Sequence, residues 1–238
     1  MFSESAELYD LIYDQFKDYK AEAAQVAGLL QALRPTVGRV LDVGCGTGQH
    51  AHFLSEDFGY SVDGLDIEPK FLELARARCP GGDFFQGDMA DFRLNRQYDV
   101  VLCLFSSIGY VKTPARLAET VRCLKEHLVP GGLVVVEPWF TPQDFRGGSV
   151  HVHTVEEDDL KICRVGRSEV QNGVSLIEFQ YLVAQPGGIR HMKEIHELGL
   201  FTKSEMREAL LAAGLQIVQE EERGLVGDRG LFVAERGD

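Results

Sequence analysis

Three glycines stand at alternate positions, Gly44, Gly46 and Gly48, directly after the β-branched run Val40–Val43. The run predicts a buried parallel strand, and residues 50–58 predict a helix. Glycines at such a turn let the backbone bend sharply and let a ligand lie against bare main chain. The free amides that open the helix favour an anionic or polar group. The sequence therefore predicts a ligand-binding turn, and the alternative is a turn that only connects strand to helix.

The glycine spacing separates two kinds of nucleotide site. A dinucleotide-binding fingerprint needs G-x-G-x-x-G, but Gln49 stands where its third glycine belongs. The spacing here is G-x-G-x-G, preceded by Asp42. This pattern argues against an NAD-binding oxidoreductase.

Two carboxylates follow the next two predicted strands. Asp66 ends the strand predicted over residues 60–67, about 20 residues after the turn, where an acid can accept both ribose hydroxyls. An N-cap for the helix predicted over residues 68–78 is the alternative role. Asp88 follows a third strand over residues 83–86, so that its carboxylate can face an adenine amine with Met89 against the ring. A polar turn is the alternative there.

The elements around these residues alternate between strand and helix five times from residue 39 to residue 139. The last helix is predicted over residues 114–128, with Pro130-Gly131-Gly132 as its stop, and the fifth strand over residues 133–137. This alternation predicts a doubly wound parallel sheet. Residues 6–33 before it predict a helix, with a break near residues 15–18. Four strands with hairpin turns, one at Asn172-Gly173, follow between residues 150 and 199. Thr202 then opens a helix with Glu205 as its capping-box partner, before two final strands over residues 215–221 and 230–234.

The domain prediction follows from this order. Residues 1–145 and 200–238 form one α/β domain with an N-terminal helical segment. Residues 146–199 form an inserted antiparallel β subdomain that leaves from the carboxyl edge of the sheet. This position suits a substrate wall or lid, and its strand edges can pair in a dimer.

Composition narrows the partners. The net charge of −13 disfavours a nucleic-acid partner, because phosphate binding needs clustered Lys and Arg, and it favours a small-molecule substrate. The five cysteines contain no C-x-x-C pair, which predicts free thiols in a reducing cytosol. No apolar run approaches the ~20 residues of a membrane span, and no signal peptide is evident. We expect a cytoplasmic protein with no membrane partner.

The glycine stretch resembles motif I of class I S-adenosylmethionine (SAM) dependent methyltransferases. Other stretches resemble bacterial sugar N-methyltransferases, in particular the dTDP-3-amino-3,6-dideoxyhexose N,N-dimethyltransferases of macrolide deoxysugar biosynthesis. The matching stretches are residues 9–13 (YDLIY), 17–19 (KDY), 44–50, 86–89 (QGDM), 105–110 (FSSIGY), 137–139 (EPW) and 227–233 (GDRGLFV). Phe140 departs from the family pattern, which has a second Trp there, and Gly227-Asp228 replaces a run of small residues.

The resemblance implies a class I methyltransferase fold, SAM as methyl donor, no metal, and a homodimer. The SAM contacts that it implies are Tyr13, Tyr19, Gly44, Cys45, Gly46, Asp66, Ile67, Asp88, Met89 and Leu104. The substrate, a nucleotide-linked amino sugar, is expected to contact Tyr9, Ser107, Tyr110, Trp139 and Arg229. The identity of the sugar does not follow from these residues.

Methyl transfer from a sulfonium is an in-line displacement with a neutral leaving group, so orientation of the amine is the main task. The amine must also lose a proton, to water or to a side chain. Tyr110 is the residue that we expect to orient the amine or relay its proton, and His196 and Glu178 are second choices. For His196 a structural or solvent-facing position is favoured over a role in the reaction. Methyl transfer to another small amine, hydroxyl or carboxyl acceptor, and SAM binding without catalysis, are the alternatives.

Overall fold

The computed structural model describes residues 5–225 and 227–237. The N-terminal segment is a 3₁₀ turn at Ala6–Leu8, a short helix α1 at Tyr9–Tyr13 and a longer helix α2 at Tyr19–Leu33. The predicted break is therefore present between α1 and α2. Asp18 starts α2, because its side chain accepts a hydrogen bond from the Ala21 amide at 2.9 Å.

Helices and strands alternate through the next hundred residues, as predicted. The helices are α3 (Gln49–Glu56), α4 (Pro69–Arg78), α5 (Pro114–Glu126) and, after the insertion, α6 (Lys203–Ala212). The strands are β1 (Arg39–Val43), β2 (Ser61–Asp66), β3 (Phe84–Gln86), β4 (Tyr98–Cys103) and β5 (Leu128–Val136). The predicted capping box is formed at Thr202 and Glu205.

Strand β5 begins earlier than predicted. We expected the strand to start at Leu133 and Pro130–Gly132 to stop the preceding helix, but the helix ends at Glu126 and the strand starts at Leu128. The pairing of β4 with β5 shifts register between Tyr98 and Val100, and Gly131 takes a φ of +68°. The strand thus continues through the two glycines with an irregular pairing to β4.

Four antiparallel strands form a second sheet, in the order β6-β7-β8-β9. They are β6 (Val150–Glu156), β7 (Lys161–Gln171), β8 (Val174–Gln185) and β9 (Gly188–Gly199). Asn172 and Gly173 both have positive φ, 52° and 77°, as a two-residue hairpin turn requires. The inner face of this sheet packs apolar side chains against the N-terminal segment, among them Tyr9, Tyr13 and Tyr181.

The chain ends with β10 (Leu215–Glu221) and β11 (Leu231–Arg236), which return to the first sheet. The sheet has seven strands in the order β3-β2-β1-β4-β5-β11-β10, with β11 antiparallel to its neighbours. Two apolar clusters cover its two faces. The order reverses on either side of β1, so the carboxyl ends of β1 and β4 border a crevice that suits a ligand. Within the described part of the chain, none of the helices is long and apolar enough to cross a membrane.

Candidate active site

A cavity of about 950 Å³ opens above the carboxyl edge of the seven-stranded sheet. Its walls come from the glycine turn after β1, from the N-terminal segment, from the inner face of the second sheet and from the loop before β11. The volume lies at the top of the ~300–1,000 Å³ range of small-molecule sites. One cavity therefore adjoins both halves of the predicted site.

The glycine turn exposes main chain to this cavity. Gly44 and Gly46 have positive φ, 76° and 54°, and both line the wall. A Cβ at Gly44 would lie 2.6 Å from the Cβ of Ser107, so only glycine fits there. A Cβ at Gly46 would meet nothing within 4 Å, which leaves its backbone open to a ligand.

Asp66 lies at the end of β2, beside the glycine turn. One carboxylate oxygen accepts a hydrogen bond from the Gly46 amide and the other from the Glu68 amide, each at 2.9 Å. Burial raises the pKa of this carboxyl, and the backbone donors oppose the rise. Two carboxylate oxygens have about four acceptor positions, so those two bonds leave capacity for a ligand's hydroxyls. The turn and this carboxylate fit the ribose and main-chain contacts that SAM needs.

Asp88 and Met89, which follow β3, line the cavity, and so does Ile67. Asp88 accepts a hydrogen bond from the Ala90 amide at 2.9 Å and one from Arg116 at 2.5 Å. The sequence did not single out Arg116. It holds the carboxylate at the position where we expect the adenine amine.

Aromatic rings from α1 form another wall. The rings of Tyr9 and Tyr13 lie 4.3 Å apart, and Tyr9 meets Phe71 edge-on at 4.9 Å. Burial raises the pKa of both tyrosines, so their hydroxyls are protonated at neutral pH. Arg164 of β7 packs over the rings of Tyr13 and Phe179, at 5.2 and 4.6 Å from their centroids.

Arg164 is the main wall residue that sequence reasoning missed. Arg164 is 3% exposed and forms a side-chain hydrogen bond with Tyr13. Its Nε and Nη1 atoms have no hydrogen-bond partner in the described ranges. A signal for it was present, because Arg164 shares the inward phase of β7 with buried Ile162. A charged residue on the buried phase of a strand is itself an indication of a site.

Trp139 and Arg229 also line the cavity. The indole Nε1 donates to Ser175 at 2.9 Å, which fixes the ring against the second sheet. Arg229 packs over the Phe105 and Trp139 rings, at 5.3 and 5.8 Å from their centroids. Its Nη2 lies 3.7 Å from the carboxylate of Glu137, which is fully buried. Burial lowers the pKa of Arg229, and Glu137 opposes this, so the guanidinium remains charged.

Tyr110 lies on a 3₁₀ turn at Ser107–Val111 after β4 and lines the cavity with Ser107. Its hydroxyl is 2.9 Å from Nδ1 of His196. Nε2 of His196 lies 3.6 Å from Glu194. His196 is therefore buried and lines the cavity, whereas Glu178 pairs with Lys193 on the opposite face of the second sheet.

Three predicted residues do not line the cavity. Cys45 and Leu104 point into the apolar cluster beneath the turn, and Tyr19 packs edge-on against His50, at 5.2 Å between ring centroids. The remaining predicted residues all line the wall: Tyr9, Tyr13, Gly44, Gly46, Asp66, Ile67, Asp88, Met89, Ser107, Tyr110, Trp139 and Arg229. Residue roles at these positions remain predictions. Among the described residues, no group of three or more His, Cys, Asp and Glu side chains is placed to hold a metal ion.

The sheet order, the glycine turn at its carboxyl edge and the acid after β2 together define a class I methyltransferase. A family model described as a methyltransferase domain matches residues 40–132. The dTDP-3-amino-3,4,6-trideoxy-alpha-D-glucopyranose N,N-dimethyltransferase of Streptomyces venezuelae is 41% identical over 230 residues, which cover 96% of this chain and 96% of that protein.

Solved structures agree with this similarity. The crystal structure of Streptomyces venezuelae DesVI matches with a TM-score of 0.91 and 41% identity, covering 98% of this chain and 99% of that one. The structure of SAM-bound CalS10, an amino pentose methyltransferase from Micromonospora echinaspora, matches with a TM-score of 0.86 and 38% identity, covering 96% of each chain. The chain belongs to the SAM-dependent sugar N-methyltransferase family. It is a methyltransferase, and SAM is its methyl donor.

Proposed function

We propose that this enzyme transfers a methyl group from SAM to the amine of a dTDP-linked amino deoxysugar. The observation that carries the proposal is the single cavity of about 950 Å³, whose lining contains the glycine turn and Asp66 as well as two arginines, Arg229 and Arg164. The turn and the carboxylate suit an adenosyl group, and the arginines suit an anion. The relative from Streptomyces venezuelae, which acts on a dTDP-3-amino sugar by its name, supports the sugar nucleotide as that anion.

The methyl donor is proposed to lie along the glycine turn. Gly44 and Gly46 would contact its methionine part, and Asp66 would accept hydrogen bonds from both ribose hydroxyls. Asp88 would accept a hydrogen bond from the adenine amine, with Ile67 and Met89 against the ring. Tyr19, Cys45 and Leu104 would act from behind the wall, by packing against the residues that line it or through their main chain.

The sugar nucleotide is proposed to lie between Trp139, Tyr9 and the second sheet. Arg229 would bind the diphosphate, because a guanidinium held by the buried Glu137 presents a fixed charge-assisted donor pair. Ser107 lies beside the glycine turn, since a Cβ at Gly44 would be 2.6 Å from its Cβ, and it shares a 3₁₀ turn with Tyr110, where the amine would meet the methyl group. These placements would hold donor and acceptor in one cavity.

The mechanism rests on orientation. SAM supplies an electrophilic methyl group on a sulfonium, whose departure needs no protonation. The chain's part is to fix the sugar amine in line with that group, and such alignment can contribute ~7–11 kcal/mol in well-oriented cases. Tyr110 would orient the amine through its hydroxyl. The surrounding aromatic rings of Tyr9, Tyr13 and Trp139 would exclude water from the reacting atoms.

Residues 146–199 are proposed to act as a substrate-binding unit inserted in the α/β domain formed by residues 1–145 and 200–238. The inner face of β6–β9 supplies Arg164 and His196 to the cavity wall, which supports this division. We further propose a homodimer through the second sheet, because Val152, Val165 and Leu182 expose apolar side chains on its outer face. A cytoplasmic location is proposed, and the five cysteines, which are all free thiols, agree with it.

Calorimetric titration tests the two halves of the site separately. S-adenosylhomocysteine and dTDP should each bind, and the two should bind together, because the proposal assigns them to different parts of the cavity. NAD should not bind. Failure of S-adenosylhomocysteine to bind would remove the cofactor assignment, and mutual exclusion of the two ligands would remove the two-sided site.

A further inference from the structure

A chain of polar side chains runs from the cavity wall into the protein at Tyr110. The Tyr110 hydroxyl lies 2.9 Å from Nδ1 of His196, and Nε2 of His196 lies 3.6 Å from Oε2 of Glu194. Tyr110 is half-buried and lines the cavity, whereas His196 and Glu194 are 2% and 5% exposed. Tyr110 and His196 thus both line the cavity, and Glu194 is the buried end of the chain.

The far end of this chain is fixed by hydrogen bonds. Glu194 accepts one from the Ser5 amide at 3.1 Å, one from the Ser5 hydroxyl at 2.7 Å and one from the Tyr181 hydroxyl at 3.2 Å. Burial alone would raise the pKa of Glu194, but the hydrogen bonds from His196 and Ser5 hold it below its usual value. Glu194 is therefore an ionised carboxylate at neutral pH, and it accepts only.

This arrangement determines which ring nitrogen of His196 carries the proton. Burial lowers the pKa of His196, and Glu194 opposes the fall, so the imidazole is neutral in the free protein. Nε2 faces a carboxylate and carries the proton, whereas Nδ1 is unprotonated and accepts a hydrogen bond from Tyr110. Phe179 of β8 lies 5.4 Å from this ring between centroids, and the positive charge of Arg164 of β7 disfavours an imidazolium, whereas Tyr181 of β8 bonds to Glu194. A neutral imidazole in this tautomer is ready to receive a proton from Tyr110.

The proposed reaction needs such a receiver. An amine flanked by electron-withdrawing oxygens titrates near the α-amino value of about 8, so most of the substrate is an ammonium at pH 7. The ammonium has no lone pair with which to attack. In a cavity walled by aromatic rings, the proton needs a path other than bulk water.

We propose that Tyr110, His196 and Glu194 form a proton relay that deprotonates the substrate amine, an inference that rests on the proposed function. The ammonium gives a proton to the Tyr110 oxygen while the Tyr110 hydroxyl proton moves to Nδ1 of His196. The N–H bond electrons become the nitrogen lone pair, which forms the new N–C bond, and the electrons of the broken C–S bond remain on sulfur. Glu194 stabilises the resulting imidazolium without taking its proton. The imidazolium returns its proton to solvent through the open cavity after product release.

The relay predicts a defined pH dependence. His196→Gln should leave substrate binding unchanged but should make the single-turnover rate follow the fraction of free amine. With an amine pKa of about 8, the variant should be about tenfold slower than the wild type at pH 7 and about a hundredfold slower at pH 6, and the two should converge above pH 9. Tyr110→Phe, which interrupts the relay at its first member, should show the same profile.

Two measurements separate the relay from a structural role. A loss by the same factor at every pH, or a wild-type profile in His196→Gln, overturns the relay. Nitrogen NMR of the free protein should show His196 as a neutral Nε2–H imidazole at pH 7, and an imidazolium there also overturns it, because that ring has no site for a further proton. His191→Gln is the matched control, since His191 is exposed on the outer face of β9 and pairs with Gln180.

The same experiment separates the relay from the proposed function. If the wild-type protein transfers no methyl group to a dTDP-amino sugar, the proposed function has failed, and the relay falls with it. If the wild type is active and His196→Gln keeps a flat pH profile, only the relay has failed.

Discussion

Replacement of Arg229 by lysine should weaken binding of the diphosphate while leaving the other half of the site intact. The Arg229 side chain is 7% exposed and faces Glu137, whose side chain is 0% exposed. Truncation to alanine would leave that carboxylate as an uncompensated buried charge, at a cost of ~3–5 kcal/mol in stability. Lysine keeps the charge opposite Glu137 and removes only the planar pair of donors.

The magnitude follows from the hydrogen bond that lysine cannot make. A hydrogen bond to a charged group contributes ~1.5–3 kcal/mol, which corresponds to about a 10- to 150-fold change in affinity. Calorimetry on Arg229→Lys should therefore show a weaker Kd for dTDP by about this factor. Thymidine, which has no phosphate, and S-adenosylhomocysteine should bind as they bind to the wild type.

A matched control lies in the same loop. Arg223 is an exposed arginine paired with exposed Asp228 at 3.4 Å, and Arg223→Lys should change none of the three affinities. Equal weakening of thymidine and dTDP binding in Arg229→Lys would contradict a diphosphate contact by Arg229, because it would show a general disturbance of the loop. An unchanged dTDP affinity would refute it as well.

Two further predictions concern the glycine turn. Asp66→Asn should weaken S-adenosylhomocysteine binding by ~1.5–3 kcal/mol, measured by calorimetry, and should leave dTDP binding unchanged. An unchanged affinity for S-adenosylhomocysteine would show that Asp66 only accepts hydrogen bonds from the Gly46 and Glu68 amides. Burial raises the pKa of the Asp42 carboxyl from 3.8 to about 6. The folded protein therefore holds this proton more tightly than the unfolded chain does. As the pH rises from about 4 to about 6, ionisation of Asp42 lowers the stability of the folded protein. Asp42→Asn should therefore gain about 3 kcal/mol relative to the wild type across that window, measured by urea denaturation at pH 4 and pH 7, and a constant difference would contradict the assignment.

The sequence predicted the parts of the fold that depend on local pattern. Strand and helix alternation, the glycine turn and the capping box at Thr202 follow from spacing of a few residues, and each is present. The predicted start of β5 was wrong. A proline and two glycines usually end an element, whereas here the register shift beside β4 accommodates them. That outcome depends on a neighbouring strand and not on local preference.

The candidate site divides in the same way. The wall at the glycine turn comes from residues close to strand ends, which the order of elements brings to one edge. The rest of the cavity wall depends on contacts between distant parts of the chain, such as Tyr110 with His196, which are 86 residues apart. Sequence pattern placed His196 on a strand, but it carried no information about which residue the ring faces. Arg164 was missed because sequence pattern does not show which rings its guanidinium contacts, although the pattern of β7 places it on the buried face of that strand.

Methyl-labelled SAM and a panel of acceptors test whether the enzyme transfers a methyl group to a sugar-linked amine. The panel should contain dTDP-3-amino and dTDP-4-amino deoxysugars, the same amino sugars without the nucleotide, and a simple amine. The masses of the products are measured by mass spectrometry. We expect label on a dTDP-amino sugar, with a mass gain of one or two methyl groups, and far slower labelling of the acceptors without nucleotide. Labelling of the simple amine with no turnover of any dTDP-amino sugar would contradict this expectation.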